Sequence, residues 1–166
     1  MRGITLLKCI VKKLEKMLLE RLKPLLLSKL PEHQYGFRPG LSAMGQACPL
    51  IATLQHAKTN NYNVVLLFLD IKKAFDRVDR NRLTKEFIDS GVPLIYTRLI
   101  FEILHNNSIT VLLNGYVSSG YIPIDGLPQG GILSPLLFNF YMRDLPSRHS
   151  RLFSFADDDV AMAVIR

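Results

Sequence analysis

Val64-Val65-Leu66-Leu67-Phe68-Leu69 runs without a polar side chain straight into Asp70. Six apolar residues in succession, half of them β-branched or aromatic, predict a strand buried on both faces, because a half-exposed strand would alternate apolar with polar. Asp at a strand end is ordinarily a turn-former or a helix cap. The far end of the chain gives it a second meaning. There Leu152-Phe153-Ser154-Phe155-Ala156 enters Asp157-Asp158-Asp159 and leaves through Val160 to Ile165, which reads as strand, tight acidic turn, strand. Three carboxylates in one tight turn repel one another unless a cation sits there. A hairpin lying beside the first strand would bring Asp70 and Asp157 to one edge of a sheet, as oxygen ligands suited to Mg²⁺.

The rest of the composition narrows the setting. The 166 residues, 48% of them apolar, suit one domain or two small lobes sharing a core. Residues 1–30 hold eight Lys and Arg against two Glu, so +6 of the formal net charge of +7 lies in the first fifth of the chain. Such an arm fits a polyanion partner or, more ordinarily, a solvated helix face. Cys9 and Cys48 are too few for a disulfide framework or a zinc site and fit a reducing, intracellular setting, the nucleus included. No apolar run approaches the ~18 residues of a membrane span, and Met1-Arg2-Gly3 lacks the look of a secretory signal.

From Leu7 the positions Leu7, Ile10, Val11, Leu14, Leu18 and Leu22 repeat at helical spacing, with Lys8, Lys12, Lys13, Lys16 and Arg21 largely off that stripe. This predicts an amphipathic helix with a basic outer face, kinked or ended at Pro24. Gln34-Tyr35-Gly36-Phe37-Arg38-Pro39-Gly40 turns sharply and presents Arg38, either to a phosphate or to carbonyls of its own loop. Ala43, Ala47, Leu50, Ile51 and Leu54 predict a second helix, which Pro49 interrupts and restarts as a first residue. His33, His56, His105 and His149 are scattered and read as structural or surface residues.

After Asp70, Asp79 or Asn81 caps a helix through Leu83, Phe87 and Ile88 that stops at Ser90-Gly91. Pro93 opens another to His105. Ile109 to Leu113, Asn114-Gly115 and Tyr116-Val117 form a hairpin, since Asn-Gly supplies the positive φ angles of a type I′ turn. Gly126-Leu127-Pro128-Gln129-Gly130-Gly131 then lets another molecule approach the backbone, or simply turns, before Ser134-Pro135 opens a helix bearing Leu137, Phe140 and Tyr141. The pattern is α+β with antiparallel pieces.

Taken in order, these stretches resemble the reverse transcriptase domain over nearly the whole chain, from Arg2 to Ile165. Leu69-Asp70-Ile71-Lys72-Lys73-Ala74-Phe75-Asp76 is similar to its first catalytic motif, Gly126 to Pro135 to the loop that touches template and nucleotide, and Phe155-Ala156-Asp157-Asp158 to its acidic hairpin. Tyr35-Gly36-Phe37-Arg38-Pro39-Gly40 resembles the fingers motif of non-LTR retrotransposons and group II intron proteins. Phe155, Lys73 to Val78, Leu136-Leu137-Phe138-Asn139 and Asp144-Leu145-Pro146 look more like non-LTR (LINE-type) elements than intron maturases, whereas Gly130-Gly131 leans the other way. A viral RNA polymerase fits less well, because that family expects Gly before the paired acids and an acid at Phe75.

The resemblance implies an antiparallel palm sheet with packed helices over residues 61–166, a helical fingers lobe over residues 1–60, and no thumb, since the motifs that follow the acidic hairpin are absent. It implies two-metal nucleotidyl transfer onto a primer 3′-hydroxyl. Asp70 and Asp157 would hold two Mg²⁺ ions, with Mn²⁺ as a substitute, Asp158 being a weaker ligand and the carbonyl of Ile71 a further one. Phe75 would reject a ribose 2′-hydroxyl, Gln129 and Gly130 would meet the incoming nucleotide, and Arg38 its phosphates or the template. The implied partners are an RNA template, a DNA primer and dNTP, with no membrane and with oligomeric state left open. Asp159 departs from the pattern, as a third acid where a small or apolar residue is usual. The competing expectation is an inactive transposon-derived remnant that only binds nucleic acid.

Overall fold

The computed structural model of the chain describes residues 4–144 and 151–165; Arg2, Leu145, Pro146 and His149 lie outside the described residues. The elements run α1 (Cys9–Leu27), α2 (Ala43–Thr59), β1 (Asn63–Asp70), a 3₁₀ turn (Phe75–Arg77), α3 (Arg80–Asp89), α4 (Leu94–His105), β2 (Leu112–Leu113), β3 (Tyr116–Val117), α5 (Ser134–Tyr141), β4 (Arg151–Phe155) and β5 (Asp158–Ile165). Contacts divide the chain into two compact units, Met1–Leu25 with Phe75–Leu137 and Leu26–Ala74 with Phe138–Arg166.

In the first unit, α3 packs on α4. The Asp79 carboxylate accepts from the Arg82 amide and starts α3, while Gly91, at φ +71°, follows its end. Leu83, Phe87, Ile100 and Leu104 are buried, with Leu18 and Leu22 of α1 and Leu133 and Leu137 of α5. The 19-residue helix α1 continues through Pro24 rather than ending there. Burial follows only part of the expected stripe: Leu18 and Leu22 are buried as expected, joined by Glu15 and Leu26, while Ile10 is 76% exposed. These four positions keep helical spacing, so the packing face is rotated away from Ile10 and Leu14. β2 and β3 pair around Asn114 and Gly115, whose φ angles of +50° and +84° are those of the expected turn.

The second unit is built on the antiparallel sheet β1-β5-β4. Gln34 extends it by a parallel bridge to Ser154 on β4. Ser42 caps α2 by accepting from the Gly45 amide, and the helix passes through Pro49 without a restart. It packs on β4 and β1. Phe138, Phe140, Leu152, Phe153 and Met162 form the core. The strand expected to be buried on both faces is not: Val65 is 54%, Leu67 55% and Phe68 70% exposed. Half-buried Val64 and Leu66 alternate with exposed Val65, Leu67 and Leu69, so among the described residues one face of β1 is packed and the other is left open.

Candidate active site

Antiparallel pairing sets Asn63 opposite Ile165 and continues without a bulge to Leu69 opposite Asp159 and Asp70 opposite Asp158. The last pair stands at the end of the sheet, with Cα atoms about 5 Å apart in such a ladder. Asp70 and Asp158 are both exposed, and the side-chain period of two puts them on the same face. Asp157 precedes them in a two-residue loop, Ala156-Asp157, and is half-buried. The ladder is therefore what brings two carboxylates, distant in sequence, to one sheet end, with the third beside them in the chain.

Asp159 behaves otherwise. The expected turn of three acids is a loop holding one, since Asp158 and Asp159 already belong to β5. Alternation turns Asp159 to the opposite face, where it is 4% exposed against Ser154 and His33. Burial pushes its carboxyl above the ordinary range; Ser154 and His33 oppose that rise, and the charges of Asp158 and Asp157 add to it. Burial likewise lowers His33, against the pull of Asp159. Pro31, His33, Gln34, Asn139, Met142, Ser154 and Asp159 line a cavity of about 10 Å³, room for a single water. The Ser154 Oγ and Asn139 Oδ1 face no partner at ordinary hydrogen-bond geometry there.

Arg38 takes the second of its two expected orientations. Its Nη1 donates to the carbonyls of Pro31 (2.9 Å) and Gln34 (3.2 Å), closing its own loop.

Ile71 follows Asp70 directly in the second unit, whereas Phe75, Gln129 and Gly130 fall in the first. The Phe75 carbonyl accepts from the Leu127 amide and the Val78 carbonyl from the Gly126 amide, both at 2.8 Å, so the segment after β1 is laced to the glycine-rich loop. Gln129 Nε2 donates to Asp76 Oδ1 at 3.1 Å. Gly130 adopts φ +117°, and a Cβ there would stand 2.8 Å from the Thr5 carbonyl, so only glycine fits. The Thr5 amide in turn donates to the Gln129 carbonyl at 2.8 Å.

Two buried charges that hold this unit have no signal in the local sequence. Glu15, 2% exposed on α1, accepts from the Ile132 amide at 2.6 Å. Burial raises its carboxyl above the usual range, against the Ile132 and Leu133 amides and Lys12. Arg80, 4% exposed, donates from Nε to the Gly126 carbonyl at 2.7 Å and from Nη1 to the carbonyls of Pro123 (2.6 Å) and Leu104. An acid before a leucine run and an arginine after a cap are ordinary surface patterns; only the distant backbone groups give these two their work.

Oxygen-only donors at a solvent-exposed strand end suit a hard divalent cation. Among the described residues no three His, Cys, Asp or Glu side chains are gathered as a metal cage. Mg²⁺ needs no such cage, because it keeps water and substrate oxygens and takes one or two carboxylates from protein. The residues present therefore fit it. No helix among the described residues is long and apolar enough to cross a membrane.

Comparison with known proteins identifies the family. A family model described as reverse transcriptase (RNA-dependent DNA polymerase) matches residues 1–164. The chain is 32% identical over 165 residues to a probable RNA-directed DNA polymerase from transposon X-element of Drosophila melanogaster, covering 95% of this chain and 18% of that protein. It is 29% identical over 164 residues to the RNA-directed DNA polymerase from mobile element jockey of the same species, covering 98% and 18%. The chain thus spans about a fifth of the length of these curated relatives, which are polymerases of non-LTR retrotransposons. Among solved structures, telomerase from Candida albicans in complex with a fragment of telomeric RNA superposes with a TM-score of 0.60 at 12% identity, over 92% of this chain and 30% of that one. A truncated apo telomerase from Candida tropicalis gives 0.56 at 13% identity, over 92% and 33%. At such identity the likeness is one of fold, and with the family match over residues 1–164 it leads to one conclusion: the chain belongs to the reverse transcriptase family, as a palm-like α+β portion of the non-LTR retrotransposon type.

Proposed function

We propose that this chain carries the catalytic centre of an RNA-directed DNA polymerase, adding dNTP to a DNA primer on an RNA template. The observation that carries it is the register match of Asp70 with Asp158 at the sheet end, next to Asp157. In this reading residues 61–166 act as palm and residues 1–60 as fingers. Asp70, Asp157 and Asp158, with the Ile71 carbonyl, would hold two Mg²⁺ ions, which would supply positive charge for the 3′-hydroxyl and the triphosphate. The chain's own part is positioning. The β1–β5 ladder fixes the acids, Phe75 bars a 2′-hydroxyl by contact, and Gln129 and Gly130 meet the incoming nucleotide. Arg38 keeps donors for a phosphate beyond the two carbonyls it already meets. The exposed lysines of α1, the net charge of +7 and the telomeric RNA named for the Candida albicans neighbour support a nucleic-acid partner.

Primer extension on an RNA template with Mg²⁺ tests this in a protein joined to a thumb from a relative. Activity is expected there, with loss in Asp70→Asn and acceptance of ribonucleotides in Phe75→Ala. An inactive joined protein, or an Asp70→Asn variant as active as the parent, would leave the nucleic-acid-binding remnant as the better account.

A further inference from the structure

The loop that carries Asp157 begins on a strained residue. Ala156 has φ +61° at the first position of a two-residue hairpin loop, a place that usually needs glycine. Strain of this kind persists only where neighbouring groups over-determine the backbone. Here the neighbour is Gln34, 4% exposed. Its Oε1 accepts from the Ala156 amide at 2.9 Å and its Nε2 donates to the Ala156 carbonyl at 3.1 Å, so one carboxamide takes both backbone groups of the strained residue. The same Oε1 accepts from the Gly36 amide at 2.8 Å.

Gln34 is itself fixed from behind. The Ser154 amide donates to the His33 carbonyl at 3.0 Å, and the Tyr35 amide to the Ser154 carbonyl at 2.9 Å. Asn139 Nδ2 holds the Gly36 carbonyl at 2.6 Å. Gly36 has no side chain because a Cβ would stand 2.2 Å from the Ala156 nitrogen. The segment 33–36 thus lies along β4 through its backbone and grips one residue of the hairpin through the Gln34 side chain.

We propose that Gln34 is a positioning residue for the acidic hairpin: its carboxamide holds the Ala156 backbone and thereby sets where Asp157 and Asp158 present their carboxylates. This rests on the reading of those acids as divalent-cation ligands. Gln34→Met keeps length and shape but makes none of the three bonds, whereas Gln34→Glu keeps the acceptor for both amides and loses the donor.

Two measurements on the 166-residue chain test it. Amide exchange of Ala156, followed by NMR, should speed up by about tenfold or more in Gln34→Met, with the amides of α3 and α4 unchanged. Mn²⁺ binding, followed by the paramagnetic resonance of the free ion, should weaken about ten- to a hundredfold in Gln34→Met and less in Gln34→Glu. If Gln34→Met fails to fold, Gln34→Glu decides alone, by intermediate losses in both readouts. Unchanged Ala156 exchange, or faster exchange with unchanged Mn²⁺ affinity, overturns the clamp while leaving the metal reading intact. Absence of Mn²⁺ binding by the parent, or binding unaffected by Asp70→Asn and Asp157→Asn, overturns the metal reading and the positioning role with it.

Discussion

Asp158 and Asp159 are adjacent on β5 yet serve opposite faces of the sheet, the first exposed beside Asp70 and the second 4% exposed against His33. Adjacent strand residues must part in this way, so the third acid does not join a metal cluster by side-chain direction, and its influence on the other two is through space.

Asp159→Asn should therefore leave Mn²⁺ affinity within about twofold of the parent, because it removes charge from the buried face only. Asp158→Asn should weaken it about tenfold or more, as the loss of a ligand does. The melting temperature of Asp159→Asn at neutral pH should equal or exceed the parent's, since a buried carboxylate is exchanged for a neutral group of the same shape. A loss of Mn²⁺ affinity as large as that of Asp158→Asn would mean the two carboxylates share one site.

Glu15 gives a pH dependence with a definite sign. Its folded carboxyl is raised above the reference value of 4.5, so between 4.5 and the raised value the folded chain keeps a proton that the unfolded chain has released. Stability from this group is then highest below 4.5 and falls as pH climbs through that window. Denaturation midpoints of parent and Glu15→Gln, compared from pH 4.5 upward, should diverge in favour of the variant and then run parallel. A flat difference, or one that favours the parent as pH rises, would show that the Ile132 and Leu133 amides outweigh burial.

Much of this architecture is legible in the sequence where the signal is local. Asp79, Ser90-Gly91, Pro93, Asn114-Gly115 and Ser134 mark ends or turns that the chain adopts, because caps and positive φ angles depend on a few neighbouring atoms. The facing of Asp70 and the acidic hairpin is also legible, since two strands ending in acids pair in only a few registers. What fails is burial and side-chain partnership decided at a distance. A row of six apolar residues cannot reveal that one face of β1 is left open. Pro24 and Pro49 cost their helices a hydrogen bond each, but fully buried Leu22 and Leu26 around the first show packing that offsets the loss. Arg38 had two open readings because its loop neighbours, Pro31 and Gln34, meet it only through the folded turn. The local sequence marks Gln34 only as part of the frame that presents Arg38, since its grip on Ala156 spans 122 residues.

Arg80 should prove structural rather than catalytic. Its guanidinium supplies donors to the carbonyls of Gly126, Pro123 and Leu104, and no ion pair of Arg80 is present among the described residues. Arg80→Met would fill similar space but leave three carbonyls without that donor, at ~1–3 kcal/mol for a buried group left unsatisfied. For a chain of this size that lowers the melting temperature by roughly 2–4 °C per kcal/mol. Arg80→Lys should fall between, because an ammonium lacks the planar fork that spans separated acceptors. Thermal melts in which Arg80→Met matches the parent would mean water takes over the carbonyls.

The basic face of α1 makes the last prediction. Lys8, Lys13 and Lys16 are exposed, and no salt bridge to any of them is present among the described residues, so they are available to phosphates. Each phosphate neutralised by a lysine releases a counterion, which gives binding a slope of about −0.9 per contact on a log–log plot against salt for duplex and about −0.7 for single strands. Replacing Lys13 and Lys16 together by Gln should weaken binding to an RNA–DNA hybrid similarly for unrelated sequences, and should reduce the magnitude of the slope by roughly 1–2. The pair lies on the outer side of the helix from buried Leu18 and Leu22, so the melting temperature should hold. A salt slope unchanged by the double replacement would make these lysines a solvated face and move the nucleic-acid contact elsewhere on the chain.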